Sequence, residues 1–129
     1  MTPSPSYGPH LTIDAYGADP VKLADVGLLF ETLDELPGLI GMQKIGPPQM
    51  ARFKESDKAG ISGIVMIVES HISVHTYANK DCFFMDVFSC KPFDHQKVIE
   101  HMKRVYAPKE LEINIVERGK RFPAQNLHE

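Results

Sequence analysis

The sequence predicts an α+β fold, a two-layer sandwich in which a mostly antiparallel sheet carries two helices on one face. At 129 residues the chain is long enough for one domain with a hydrophobic core and too short for two. Its apolar patterns follow the order strand, helix, several strands with tight turns, helix, strand. The central stretch GISGIVMIVE is apolar at both alternating sets of positions, as in a strand covered on both faces. We therefore expect a single domain over residues 1–129.

The first strand is predicted in HLTIDAY, residues 10–16, because apolar and polar side chains alternate there. A helix is expected to begin with Asp19 as its N-cap and Pro20 as its first residue, and to end at Pro37. Its buried face is predicted from apolar residues at helical spacing: Leu23, Val26, Phe30 and Leu33.

The middle of the chain is rich in predicted strands. LIGMQKI, residues 39–45, is expected to form one strand, and a short strand is expected around residues 50–53. GISGIVMIVE runs directly into SHISVHTY, and the turn ANKD leads into CFFMDVFSC.

The last two elements are a helix and a strand. Asp94 can cap the helix, whose apolar face is formed by Val98, Ile99, Met102, Val105 and Tyr106. In the final strand, ELEINIVERG, the alternation predicts that Leu111, Ile113 and Ile115 point inward.

The apolar pattern of the central strand also predicts how two copies of the chain assemble. If the two helices cover one face of the sheet, the other apolar face still has to be buried. A symmetric homodimer, with sheet packed against sheet, is the simplest way to bury it.

Composition narrows the class of function. A formal charge of -3 and a pI of about 6.1 do not favour nucleic acid or an anionic membrane surface, so a small polar or zwitterionic ligand is expected. No stretch approaches the roughly 18 apolar residues that a membrane span needs, and we expect a cytoplasmic protein. In a reducing compartment Cys82 and Cys90 remain free thiols.

The stretch VESHISVHTY, residues 68–77, is unusually polar for a central strand. Strand alternation puts His71, Ser73, His75 and Tyr77 on one face and Ser70, Ile72, Val74 and Thr76 on the other. The wider set of polar side chains around it is Ser62, Glu69, Ser70, His71, Ser73, His75, Tyr77, Asp86, Ser89 and Cys90.

Two interpretations follow from these residues alone. The polar face could simply point to water. Alternatively, His71 and His75 with Cys82 and Cys90 could bind zinc, but the cysteines lie eight positions or about 27 Å apart along a strand. We therefore predict no metal site.

A third interpretation rests on a resemblance. GPHLTIDAYGAD, GISGIVMIVESHISVHTY and DVFSC, in this order, resemble the prokaryotic (class 1) S-adenosylmethionine decarboxylase proenzymes over most of the chain. The resemblance implies a pyruvoyl-dependent enzyme that cuts itself into residues 1–69 and 70–129. It implies no pyridoxal phosphate and no metal, because Ser70 itself becomes the pyruvoyl group.

The resemblance also implies roles for single residues. The cut lies between Glu69 and Ser70, whose hydroxyl attacks the Glu69 carbonyl, and Ser62 assists. His75 is the proton acceptor in processing, and Cys90 is the proton donor during decarboxylation. Because Ser70 and His75 are five positions apart, a bulge or sharp turn at Glu69/Ser70 is expected.

The implied substrate is S-adenosylmethionine, whose product donates aminopropyl groups in spermidine synthesis. Phe53, Tyr77 and Asn79 are the implied substrate-binding residues, with Phe53 stacking on the adenine. The family usually has a glutamate where this chain has Asn79, and an amide cannot grip a ribose diol as a carboxylate does. An arginine or ornithine decarboxylase on the same scaffold, and a non-catalytic protein that binds a small ligand, therefore remain alternatives.

Overall fold

A computed structural model describes residues 6–54 and 60–123. They form one six-stranded sheet with helices on one face, which confirms the predicted α+β class. The strands are β1 Gly8–Tyr16, β2 Gln49–Phe53, β3 Gly60–Ile67, β4 Ser70–Tyr77, β5 Cys82–Ser89 and β6 Glu110–Arg118. The helices are α1 Pro20–Leu23, α2 Val26–Leu39 and α3 His95–Tyr106, with a short 3-10 helix at Ala78–Lys80.

The strand order across the sheet is β2-β3-β4-β5-β1-β6, and every described pair of neighbouring strands is antiparallel. The hairpins β2–β3–β4–β5 follow chain order, whereas β1 pairs with β5 and β6. None of the described helices is both long enough and apolar enough to cross a lipid bilayer.

The prediction of one continuous first helix was wrong. The chain forms α1 and then restarts as α2, because the Asp25 carboxylate accepts a hydrogen bond from the Leu28 N–H at 3.1 Å and caps a new helix. Pro37 does not end α2. It lies in the last turn, where its missing N–H removes only one hydrogen bond, and the Ile40 N–H still donates to the Leu36 carbonyl.

The buried face of α2 also differs from the prediction at one position. Leu33 is buried as expected, but Phe30 is 37% exposed. The side chains that α2 buries are Leu29, Thr32, Leu33, Leu36 and Pro37.

The strand predicted in LIGMQKI was also wrong. Leu39 ends α2, and Gly41, at a φ of +74°, then turns the chain in a way that L side chains rarely allow. Residues 40–48 contain only an isolated bridge between Lys44 and Ile67. The edge position of the sheet is taken instead by β2, the short strand that was predicted around residues 50–53.

The final strand has the predicted pattern but not the predicted burial. Ile113 and Ile115 are cross-strand partners of Ile13 and Leu11, so they point to the helix side of the sheet as expected. They are nevertheless 40% and 48% exposed, and Leu111 is only half-buried. The reason is that β6 is an edge strand that the helices do not reach.

The two faces of the sheet have different surroundings. The helix side holds the fully buried core, including Leu11, Val65, Ile72, Val74 and Phe83. The opposite side, which we call the open face, carries none of the described helices, and at one end of it the Tyr7 ring lies 5.4 Å from the Phe88 ring. It is formed by Ser62, Ile64, Met66, His71, Ser73, His75, Tyr77, Phe84, Asp86, Phe88, His10 and Thr12.

Candidate active site

A tight turn at Val68 and Glu69 joins β3 to β4, so the sharp turn predicted at Glu69/Ser70 is present. Ser70 has a φ of 157°, an uncommon conformation for any residue other than glycine. This uncommon conformation therefore lies directly after the bond between Glu69 and Ser70.

The Glu69 carbonyl is held by a backbone donor. The Cys90 N–H donates to the Glu69 carbonyl oxygen at 2.9 Å. Cys90 follows directly after β5, and Ser89 is the cross-strand partner of Ser70. The fold thus brings Glu69, Ser70 and Cys90 together, and an N–H pointing at this carbonyl can stabilise negative charge on its oxygen.

Ser62 and His75 form a second group, on the open face. They are cross-strand partners on β3 and β4, and the Ser62 Oγ lies 2.8 Å from the His75 Nδ1. His75 is exposed, so a base at this position is accessible from the open face.

The structure does not bring this pair to Ser70 within one chain. Ser70 and His75 lie on the same strand, five residues or about 16 Å apart. The cross-strand partner of Ser70 is Ser89, which is fully buried on the helix side, whereas His75 is on the open face. The turn at Val68 and Glu69 therefore precedes Ser70 without moving it to the side of His75.

The three predicted substrate-binding residues lie together at the far end of β4. The rings of Phe53 and Tyr77 are 6.1 Å apart at an interplanar angle of 69°. Phe53 and Asn79 line a cavity of about 250 Å³ together with Arg52 and Lys54. The other lining residues are Leu23, Ala24, Gly60, Ile61, Thr76 and Ala78. Tyr77 is seven residues or about 23 Å from Ser70 along the strand.

A carboxylate network occupies the middle of the open face. Asp86 accepts hydrogen bonds from the Ser73 hydroxyl, from His10 Nε2 at 2.8 Å and from His71 Nε2 at 3.1 Å. Partial burial alone would raise the pKa of Asp86, but the hydrogen bonds from Ser73, His10 and His71 outweigh it, so that this pKa lies below its ordinary value.

Two residues near these groups were missed by sequence reasoning. His10 belongs to the Asp86 network, and its only local signal is its polar position in the alternation of β1. Gln43 contacts the cleavage turn, but it lies in the stretch that was expected to be a strand. Both contacts join segments that are far apart in sequence.

The structure shows where the two cysteines lie and whether the described side chains form a metal site. Cys82 is 8% exposed at the start of β5, and Cys90 lies beyond the other end of that strand. Within residues 6–54 and 60–123, no group of three or more His, Cys, Asp or Glu side chains is arranged to hold a metal ion.

Comparisons with known proteins identify the family. Residues 9–119 match the family model for S-adenosylmethionine decarboxylase. The chain is 31% identical over 114 residues to the S-adenosylmethionine decarboxylase proenzyme of Clostridium botulinum strain Langeland, covering 88% of this chain and 95% of that one. It is 29% identical over 117 residues to the arginine decarboxylase proenzyme of Pyrobaculum arsenaticum, covering 90% of this chain and 87% of that one.

A solved structure has the same fold. The crystal structure of the adenosylmethionine decarboxylase from Aquifex aeolicus superposes with a TM-score of 0.76 at 26% identity. The match covers 89% of this chain and 92% of the Aquifex chain.

Proposed function

Because this chain belongs to the S-adenosylmethionine decarboxylase family, we propose that it is a proenzyme that cuts itself between Glu69 and Ser70 and then decarboxylates S-adenosylmethionine. The observation that carries this proposal is the position and hydrogen bonding of the Glu69 carbonyl. It lies on a tight turn beside the strained Ser70, and its oxygen accepts the Cys90 N–H at 2.9 Å.

The first step is an acyl shift. The Ser70 Oγ attacks the Glu69 carbonyl carbon, the Cys90 N–H stabilises the oxyanion, and the C–N bond breaks to leave an ester. The hydroxyl proton passes to the freed amine, and relief of the unusual φ at Ser70 offsets part of the amide resonance that this step gives up.

The second step is β-elimination. His75 takes the Cα proton of residue 70, and the Glu69 carboxylate leaves from the β-carbon, which gives dehydroalanine. Water then hydrolyses the enamine to a ketone and ammonia. The products are a fragment of residues 1–69 and a fragment of residues 70–129 that begins with a pyruvoyl group.

The geometry supports processing in trans. A single chain keeps His75 about 16 Å from Ser70 and on the other side of the sheet. In a homodimer that packs the two open faces together, a two-fold axis crossing β4 near residues 72–73 removes the separation along the strand, because it sets the backbone of residue 70 in one protomer across from residue 75 of its partner. The turn before Ser70 then has to present the Cα of residue 70 to the open face, since the Ser70 side chain lies on the helix side. Each scissile turn is then processed by the Ser62–His75 pair of the other subunit.

The same dimer accounts for the exposed apolar side chains of the open face. Ile64 and Met66 are 39% and 56% exposed in the isolated chain, and Val68 in the turn beside them is 60% exposed. Packing of sheet against sheet, at a spacing of about 10 Å, buries such residues. It also brings the Phe53–Asn79 cavity of one subunit towards the Ser70 end of the other.

The residues fit a pyruvoyl group made from Ser70. Residue 70 would hold this group at the start of the second fragment, where it would supply a carbonyl for the substrate amine and an electron sink for decarboxylation. The half-buried Cys90, whose backbone already lies against Glu69, is placed to return a proton to the substrate carbon from its thiol.

The cavity at Phe53 favours the nucleoside substrate over a basic amino acid. Its described lining carries two cationic side chains, Arg52 and Lys54, and no carboxylate. A guanidinium or ammonium side chain would be repelled there, whereas a neutral adenine can stack on Phe53 and Tyr77. Arginine decarboxylation remains the second candidate, because the relative from Pyrobaculum arsenaticum bears that name.

Two measurements test the proposal. Denaturing mass spectrometry of the purified protein should show fragments 1–69 and 70–129, the second blocked by a carbonyl at its amino terminus, and the Ser70→Ala chain should stay whole. Release of carbon dioxide from labelled S-adenosylmethionine, arginine and ornithine then identifies the substrate. A wild-type chain that remains a single polypeptide would leave the non-catalytic ligand-binding alternative.

A further inference from the structure

We propose that residues 41–46, the sequence GMQKIG, form a clamp segment that positions the Glu69–Ser70 bond for cleavage. This inference rests on the proposed self-processing and assigns it a positioning element outside the β3–β4 hairpin. The clamp segment lies where the sequence predicted a strand, between α2 and β2.

The clamp segment binds the turn through backbone groups. The Val68 N–H donates to the Gln43 carbonyl at 2.9 Å, and the Ile45 N–H donates to the Met66 carbonyl at 2.9 Å. The Gln43 N–H donates to the Glu69 Oε1 at 3.3 Å. The end of β3 and both residues of the turn are therefore tied to one short stretch of chain.

The clamp segment is itself anchored to the core and to the strand end that carries Cys90. Met42 is 6% exposed and belongs to the hydrophobic core, and the buried Ser89 hydroxyl lies 3.7 Å from its sulfur. The Lys91 ammonium donates to the Gly41 carbonyl at 2.8 Å, and the Lys44 ammonium pairs with the Asp34 carboxylate of α2.

Two glycines set the path of the clamp segment. Gly41 has a φ of +74° and Gly46 a φ of +117°. No heavy atom lies within 4 Å of an added Cβ at either position, so an alanine there would strain the backbone without a steric clash.

These contacts hold Glu69 from two directions. The Cys90 N–H fixes its carbonyl, and the Gln43 N–H fixes its side chain. If only β3 and β4 held this two-residue turn, Ser70 would be free to leave its unusual φ. The Ser70 hydroxyl would then move away from the Glu69 carbonyl carbon. The clamp segment prevents that relaxation.

The test measures the rate of cleavage in full-length chains. Gly46→Ala bends the clamp segment, Lys91→Met removes its anchor, and Gly38→Ala is the matched control, because Gly38 lies in α2 without a positive φ and with open space around it. Freshly refolded proenzymes are followed by denaturing electrophoresis. Thermal unfolding is recorded on the same chains, and decarboxylase turnover is measured per carbonyl group after cleavage is complete.

We expect Gly46→Ala and Lys91→Met each to slow cleavage by roughly fivefold to fiftyfold, with turnover per carbonyl group unchanged and with Gly38→Ala cleaving like the wild type. Cleavage at the wild-type rate in either variant overturns the clamp. The clamp is also overturned if turnover per carbonyl group falls by the same factor as the cleavage rate, because equal losses indicate general damage to the fold. Cleavage of Ser70→Ala would instead remove the proposed function.

Discussion

Complementation between two inactive variants tests the shared active site. Ser70→Ala lacks the nucleophile, and His75→Ala lacks the processing base, so neither should cut itself alone. In the proposed mixed dimer, the backbone of residue 70 in the His75→Ala chain lies across from the intact His75 of its partner. That one turn should be cleaved, while the turn of the Ser70→Ala chain stays whole.

The size of the effect follows from the geometry. A separation of about 16 Å along β4, on opposite sides of the sheet, leaves no contact within one chain. If the two variants assemble at random in equal amounts, about half of the dimers are mixed and about one quarter of all chains are cut. Processing within one chain predicts no cleavage in the same mixture.

The assay is co-refolding of the two variants carrying different affinity tags, followed by denaturing mass spectrometry after long incubation. The tags show which chain was cut. Refolding the variants separately and mixing them immediately before the assay is the control, because mixed dimers can then form only by exchange of subunits. Complete absence of cleavage in mixed dimers, isolated by both tags in sequence, would refute processing in trans.

The remaining predictions concern the thiol, the carboxylate network and the open face. Cys90→Ala should still cut itself, because the contact of residue 90 with Glu69 is made by its backbone N–H. Its decarboxylase turnover should fall by about 10²- to 10⁴-fold, because the thiol is the proposed proton donor. Full turnover per carbonyl group would contradict that role. Asp86→Asn should lower the free energy of unfolding at pH 7 by about 1–2 kcal/mol, since Asp86 accepts three hydrogen bonds and is partly exposed. Because the folded pKa of Asp86 is lowered, its stabilisation is complete above its ordinary pKa of 3.8 and is lost as the pH falls through the folded value. Denaturant titrations from pH 7 to pH 2 should therefore show the two proteins converging in acid, and a constant difference would contradict this account. Met66→Lys should produce monomers in sedimentation velocity and stop processing, because it would bury a charge where the two open faces meet in the proposed dimer. Val21→Lys is the control and should remain dimeric, since Val21 is 79% exposed on α1.

Local sequence was sufficient for much of the fold. Alternation in SHISVHTY correctly separated His71, Ser73 and His75 from the buried Ile72 and Val74, because successive side chains of a strand point to opposite faces. Asp94 was correctly predicted as a helix cap, since its carboxylate accepts the Gln96 N–H two residues later. Both depend on neighbours within a few residues.

The errors came from properties that neighbours in sequence do not determine. Residues 39–45 have the composition of a strand, but β2 takes the sheet edge and Gly41 turns the chain away. Ile113 and Ile115 alternate as buried residues do, but β6 lies at an edge beyond the helices. Whether an apolar residue is covered depends on which element packs above it.

The sequence by itself determined the residues on which the proposed chemistry depends: the Glu69–Ser70 pair, a histidine five residues after Ser70 and a cysteine that follows β5. Only the tertiary structure decided the partners of these groups. The Cys90 N–H lies on the Glu69 carbonyl, Gln43 holds the Glu69 side chain, and His75 is kept away from its own Ser70. The physical reason is that these contacts join segments that are 21 or 26 residues apart. Strand register brings Cys90 to Glu69, and the segment before β2 brings Gln43 to it, and no local periodicity specifies either contact.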